Sequence, residues 1–223
     1  AMIDASAPGS LEERCRLARY GFLERLAKAN HYNKIATGHQ ANDNAEAVLL
    51  NLIRGSGTRG LGGIPPIRQN RIVRPLLRLN REAILKFLDE HNLPYANDAT
   101  NQDLRFDRNR IRHIVMPLLE AEFNPNIVAT LNRTAELCRA DEQWFDTQIN
   151  ELIQKVIINH TPEKLDLDAL PMARLPLAAQ RRILRKAIAV WHGELRRITV
   201  THIDSAASLI SASRVGKRCD LPA

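Results

Sequence analysis

Aromatic side chains are scarce in this chain, at 4% of residues, which argues against a platform on which many bases stack in succession. Cysteine is scarcer still. Cys15, Cys138 and Cys219 are odd in number and far apart, and no C-x-x-C pair exists. A zinc knuckle or a dithiol redox motif therefore finds no support, and scattered thiols of this kind suit a reducing cytoplasm. No apolar run approaches the ~18 residues of a membrane span. The N-terminus shows neither the basic nor the apolar region of a secretory signal, and Ala1 reads as a residue left ahead of a start codon at Met2.

What is present is an ordinary globular composition over 223 residues, 44% hydrophobic and 26% charged. That length has room for one large or two modest domains with real cores. The formal net charge of +7 favours a polyanionic partner such as nucleic acid, although basic charge alone specifies none.

The first part of the chain alternates helix and strand. An amphipathic helix is expected over 11–29 on Leu17, Tyr20, Phe22, Leu23 and Leu26, and a short strand over 35–38. A helix over 42–54 carries Val48, Leu49, Leu52 and Ile53 at apolar positions. Arg71 to Leu77 reads as a second strand closed by Pro75. Asn80 then caps a helix over 81–91 whose core face is Ile84, Leu85 and Leu88. Pro94 to Ala96 reads as an extended turn leading into Asn97–Asn101. From about residue 105 only helices are expected: one opened by Arg108 to His113 and interrupted at Pro117, one over 126–158, one near 176–191 and one near 200–212. The expectation is an α/β domain with a parallel sheet over 1–122, then an all-α domain over 123–223.

Chemistry concentrates at Gly38 to Glu46. His39 follows the first strand, at the end where open α/β sheets bind ligands. Asn42 is the expected N-cap, Asp43 lies in the first turn where the helix dipole favours a carboxylate, and Asp43 and Glu46 share a helix face. A cap, a solvated helix charge and a turn histidine would account for the same residues. The stretch Arg54 to Gly63 holds five of the ten glycines. It reads either as a flexible connector or as a loop whose amides approach an anion, with Arg54 and Arg59 adding charge. Arg108, Arg110 and Arg112 suit phosphate contacts, or equally an ion-pair network with Asp98, Asp103 and Asp107. The run Arg181, Arg182, Arg185 and Lys186 reads as the wet face of an amphipathic helix.

Taken together, the stretches IATGHQANDNAEAVLLNLIRGSGTRGLGGIPP, RPLLRLNREAILKFL, NDATNQDLRFDRNRIRHIVMPLL, LNRTAEL and LPLAAQRRILRKAI resemble the tRNA(Ile)-lysidine synthetases of the PP-loop ATP pyrophosphatase group. They occur in family order and cover most of residues 11–191. The resemblance implies a Rossmann-like PP-loop domain, part of which is present here, and the cofactors ATP and Mg²⁺. It implies adenylation of the C2 carbonyl oxygen of the first anticodon cytidine of tRNA(Ile) with a CAU anticodon, then displacement of AMP by the ε-amine of free L-lysine. On that basis His39, Asp43 and Glu46 are catalytic, with Asp43 and Glu46 holding lysine or Mg²⁺ and Asp43 the metal candidate. Gly38, Arg54, Gly55, Gly57 and Gly60 border the ATP and substrate pocket. Arg108, Arg110, Arg112, Arg181 and Arg182 contact tRNA or nucleotide phosphates.

Two departures matter. Gln40, Asn44 and Ala47 stand where the family commonly has a histidine, a glutamine and a threonine. The Ser-Gly-Gly-x-Asp-Ser phosphate loop occurs nowhere in the 223 residues, which implies a piece of a longer synthetase that is inactive alone. A tRNA thiolation enzyme of the same group is disfavoured by the scattered thiols, and a non-catalytic RNA-binding module is the reading from a different class.

Overall fold

The computed structural model describes residues 11–96, 103–193, 195, 197–211 and 219. The stretch Asn97–Asn101, Asp98 with it, and both ends of the chain lie outside them. Two compact units divide the molecule, Ala1–Ala140 and Asp141–Ala223.

The first unit begins with α1 (Leu11–Ala29), β1 (Ile35–Ala36), α2 (Ala41–Ile53) and α3 (Thr58–Leu61), followed by β2 (Ile67–Arg68), β3 (Ile72–Val73) and α4 (Arg81–Glu90). β1 pairs parallel to β3, with Ile35 opposite Ile72. The sheet is not wholly parallel, because β2 pairs antiparallel to β3 with Ile67 opposite Val73. Gln69 and Asn70 make that tight reversal at φ of 51° each, a left-handed conformation that asparagine tolerates better than most residues. Pro65 and Pro66 ahead of β2 and Pro75 after β3 keep both strands short. Ala27, Ile35 and Ile72 are buried together beneath Tyr20 and Leu23. Leu17, Phe22 and Leu26 of α1 are exposed, as are Leu52 and Ile53 of α2. Helical periodicity marks an apolar face without saying what covers it.

A helical run then carries α5 (Asp107–Arg110), a π-helical segment Ile111–Val115 and α6 (Met116–Glu122). The expected interruption at Pro117 takes this form. Proline has no N–H to return to the preceding turn, and the backbone widens just ahead of it. Ile111 and Met116 pack with Ala45 and Leu49 of α2, and Ile127, Val128 and Leu131 close the same cluster. Those last three lie on α7 (Ile127–Val156), so the first turns of this helix belong to the α/β unit. Helix α6 ends at Glu122 and α7 starts at Ile127, whereas compactness divides the chain inside α7, after Ala140.

The second unit is not helical throughout. The β-branched run Val156-Ile157-Ile158 leaves the helix and forms β4 (Ile157–His160), antiparallel to β5 (Leu165–Leu167). Then come α8 (Ala169–Ala173), capped by Asp168, which accepts from the Leu170 N–H at 3.0 Å, α9 (Leu177–His192) and α10 (Val200–Ser211). Gly193, at φ 76°, ends α9 in the left-handed conformation that favours glycine. Its core gathers Ile149, Ile153, Met172, Ile183, Ala187 and Ile203. No helix among the described residues is long and apolar enough to cross a membrane.

Candidate functional site

β1 delivers Thr37 to Gln40 to the start of α2. The helix begins one residue earlier than the sequence suggests: Gln40 is its N-cap. Asn42 does not cap it and instead accepts the Arg81 N–H at 2.9 Å, tying α2 to the start of α4. Asp43 supplies the capping contact, its Oδ2 accepting the Gln40 N–H at 3.0 Å. A carboxylate so placed satisfies one of the orphan donors of the first helical turn and lies favourably in the helix dipole.

Asp43 and Glu46 do share a face, and two arginines fill it. Arg108 donates from Nε to Glu46 Oε2 and from Nη2 to Asp43 Oδ1, both at 2.9 Å. Arg112 donates from Nε to Glu46 Oε1 at 2.6 Å, and from Nη2 to Glu46 Oε2 at 2.9 Å and Asp43 Oδ1 at 3.0 Å. Only 3% of the Glu46 side chain and 16% of that of Asp43 is exposed. A carboxylate this buried is tolerated only when paired and hydrogen-bonded, and Glu46 meets both conditions. Burial works against the charge of Arg112. The hydrogen bonds to and the charge of Glu46, with those of Asp43, outweigh it and hold the guanidinium above its ordinary value. Every oxygen of both acids accepts at least one hydrogen bond, and the cations beside them are guanidinium groups.

Arg110 goes elsewhere, 3.7 Å from Asp107. Asp107 also takes Arg54 at 3.1 Å, in the open. The arginine triplet therefore splits, with Arg108 and Arg112 in the site and Arg110 outside it. Asp103, expected in the network, pairs with Arg105.

His39 is half-buried, and its Nδ1 lies 2.9 Å from the Thr37 hydroxyl. Its pKa is lowered first by burial and then by the charges of Arg74, Arg108 and Arg19, with Asp43 pulling the other way. A neutral imidazole beside a carboxylate and guanidinium groups can take up a proton.

The glycine-rich stretch is structured. It contains α3, and the amides of Gly55, Ser56, Gly60, Leu61, Gly62 and Gly63 all donate to carbonyls within residues 51–60. Asn51 Nδ2 donates to the Gly60 carbonyl at 2.7 Å, and Arg139 of α7 donates to that of Gly62. A Cβ at Gly60 would collide with Ser56, and one at Gly63 (φ 63°) with the amide of Asn44. Close packing thus accounts for these glycines. Gly38 and Gly57 have open space beside them.

Sequence reasoning passed over Thr37, Arg74, Asn132 and Arg139, and met Asn44 only as a departure from the family pattern. Arg74 is buried, and its Nη1 donates to the Pro65 carbonyl at 2.5 Å. Burial pushes Arg139 below its ordinary value. Asn132 and Arg139 fall in and just after LNRTAEL, a segment quoted for family resemblance without a chemical role. In the second unit, Arg181 binds Asp204 at 2.6 Å. Arg182 binds Glu142 twice, at 2.8 and 2.5 Å, with its guanidinium 4.1 Å from the centre of the Phe145 ring.

Residues 2–119 match the family model described as a PP-loop domain. A tRNA(Ile)-lysidine synthase of Solibacter usitatus is 39% identical over 215 residues, 96% of this chain and 49% of that protein. One of Geobacter sulfurreducens is 36% identical over 96% of this chain and 45% of that protein. This chain thus spans about half the length of these curated relatives. A solved structure of the U34-tRNA thiolase NcsA of Methanococcus maripaludis with its iron–sulfur cluster is similar over 61% of this chain and 46% of that one. At 20% identity and a TM-score of 0.48, that likeness carries no weight.

Proposed function

This chain belongs to the PP-loop domain family, and from that premise we propose that it carries the lysine-facing part of a tRNA(Ile)-lysidine synthase. The reaction is ATP-dependent ligation of L-lysine to C2 of the first anticodon cytidine of a CAU-bearing tRNA(Ile), in the cytoplasm. The observation that carries the reading is the pairing of Asp43 and Glu46 with Arg108 and Arg112 beside a half-buried histidine whose charged form is disfavoured.

In the first step the C2 carbonyl oxygen attacks the α-phosphorus of ATP and pyrophosphate leaves. In the second the lysine ε-amine, having given up a proton, attacks C2 and AMP departs with the former carbonyl oxygen. The amine needs a base and the departing phosphate needs positive charge. His39 meets the first need. Arg108 meets the second: it spends Nε and Nη2 on the acids, and among the described residues its Nη1 makes no hydrogen bond. Asp43 accepts three hydrogen bonds of the roughly four a carboxylate can take, leaving room for the lysine ammonium before deprotonation. Glu46 fixes both guanidinium groups and is too buried to meet substrate. Mg²⁺ would arrive on the nucleotide's phosphates. The oxygens of Asp43 do not suit it while two guanidinium groups stand there. The glycine stretch from Arg54 to Gly60 borders α2 but spends most of its amides on itself, so it shapes the site without cradling phosphate. A Cβ at Gly38, Gly55 or Gly57 would meet no neighbouring atom.

The decisive experiment is a chimera in which this chain replaces the aligned segment of the Solibacter usitatus relative. Lysidine formation from tRNA, ATP and lysine is expected, and Asp43→Asn should lower the rate by about a hundredfold or more with tRNA affinity unchanged. A folded chimera that binds tRNA without making lysidine would favour a non-catalytic RNA-binding module.

A further inference from the structure

We propose that Asn132 is a positioning residue of this site, holding the first turn of α2, and with it Asp43, in register with the arginines. Its function rests on the lysidine reading and its geometry on the hydrogen bonds between Asn44, Asn132 and Ala41.

Asn44 lies between the two acids in sequence, and its side chain is sealed from solvent, at 0% exposure. Its Oδ1 accepts the Ile64 N–H at 2.7 Å, and its Nδ2 donates to Asn132 Oδ1 at 2.7 Å. Asn132 Nδ2 in turn donates to two carbonyls, Ala41 at 2.9 Å and Val128 at 2.8 Å. The relay has a fixed polarity. Flipping the Asn132 amide would set its oxygen against those carbonyls, and flipping that of Asn44 would set N–H against N–H.

This relay joins three segments of the first unit. Ile64 ends the glycine stretch, Ala41 is the first residue of α2, and Val128 and Asn132 lie on successive turns of α7. Gly63 has no room for a side chain beside the Asn44 amide, so the relay is also packed from outside. Ala41 lies two residues before Asp43. A rotation of that turn would change the Asp43 contacts to Arg108 and Arg112, which are single hydrogen bonds of 2.9 and 3.0 Å. Glu46, one turn further on and bonded three times, would be displaced less. A buried polar relay of this kind is sensitive to the loss of any member, since each partner left behind has no water to turn to. Asn132 touches neither acid nor arginine in this network, so it acts through α2.

The test reads the site without needing turnover. In this 223-residue chain, NMR resonances of the Arg108 and Arg112 Nε–H groups report the ion pairs, and amide exchange at Ile64 reports the relay. Asn132→Ala should shift and broaden both arginine signals and speed Ile64 exchange by about tenfold or more. Asn132→Asp keeps the acceptor for Asn44 but loses the donor to Ala41. It should leave Ile64 protected while the arginine signals still move, and it decides the matter if Asn132→Ala does not fold. Val128→Ala, a packing change one turn away on the same helix, should lower the melting temperature and leave the arginine signals in place. Unmoved arginine signals in both Asn132 variants, or the same movement in Val128→Ala, would overturn the proposal. In the chimera, Asn132→Ala should lower kcat by about tenfold with tRNA affinity unchanged. A wild-type chimera that makes no lysidine sinks the functional reading alone and leaves the NMR result to judge the coupling.

Discussion

Both units hold arginines against buried carboxylates, yet the two arrangements differ in kind. In the second unit Arg182 and Arg181 pair with separate acids. Glu142 takes Arg182 in a two-bond fork under the face of Phe145, and Asp204 takes Arg181. Charge and stem are both accounted for: the hydrogen bond to Glu142 outweighs burial and raises Arg182 above its ordinary value, and Ile183 and Leu184 beside it enter the core. That is how a long cationic side chain is built into a fold. In the first unit, two arginines share two acids, with a half-buried histidine at the edge and an amide relay beneath. The lesson is that a run of basic residues says little by itself. What matters is how many acids meet them and whether part of each cation is left for a ligand.

The largest effect should come from breaking the shared acid. Glu46→Gln leaves two half-buried guanidinium groups facing a neutral amide and should cost about 3–5 kcal/mol of stability, read as the shift of the urea midpoint at constant slope. A loss below about 1 kcal/mol would mean that the cluster is as loose as a surface pair and that the contrast between the units is false. Next comes Glu142→Gln, which disturbs the pair with Arg182. It should cost about 1–3 kcal/mol and leave lysidine formation by the surviving folded chimera unchanged.

Arg182→Ala sharpens the comparison in solution. Because this arginine is committed to Glu142 and Phe145, its loss should lower stability without changing the salt dependence of tRNA binding. Arg108→Ala should reduce that salt slope by about one if its guanidinium meets a phosphate. Equal slopes for the two variants would remove the distinction.

The smallest effect is a pH dependence. His39 has a folded pKa below its ordinary 6.5, so the unfolded chain binds the extra proton first as the solution is acidified. The stability this contributes is present above 6.5 and is lost as pH falls through that value towards the folded pKa. The melting temperature of the wild type should fall slightly over that window, and His39→Gln should abolish this component. An NMR titration placing the His39 midpoint above 6.5 would contradict the burial argument.

Local signals were legible. Asn80 caps α4 by accepting the Ala83 N–H at 2.8 Å, Gly193 ends α9, and Pro117 marks the irregular turn, all as residue chemistry prescribes. The spacing of Asp43 and Glu46 put them on one face. The β4–β5 hairpin was missed because an apolar β-branched run directly after a helix continues the helical pattern as readily as it starts a strand. The N-cap was misplaced by two residues, since Asn42 is the better capping residue by type and Gln40 holds the position only because Asp43 reaches back to it.

Sequence alone determined the longer helices to within a few residues, the basic charge and the family, because these depend on near neighbours in the chain or on motifs kept in order. Only tertiary structure decided what the acids face. Glu46 and Arg112 are separated by 66 positions and Asn44 and Asn132 by 88, and no local rule pairs them. Their meeting follows from the packing of Ala45 and Leu49 against Ile111, Met116 and the start of α7. That apolar contact brings α2, the π-helical turn and α7 together, and the polar groups on those elements then have only one another to satisfy them.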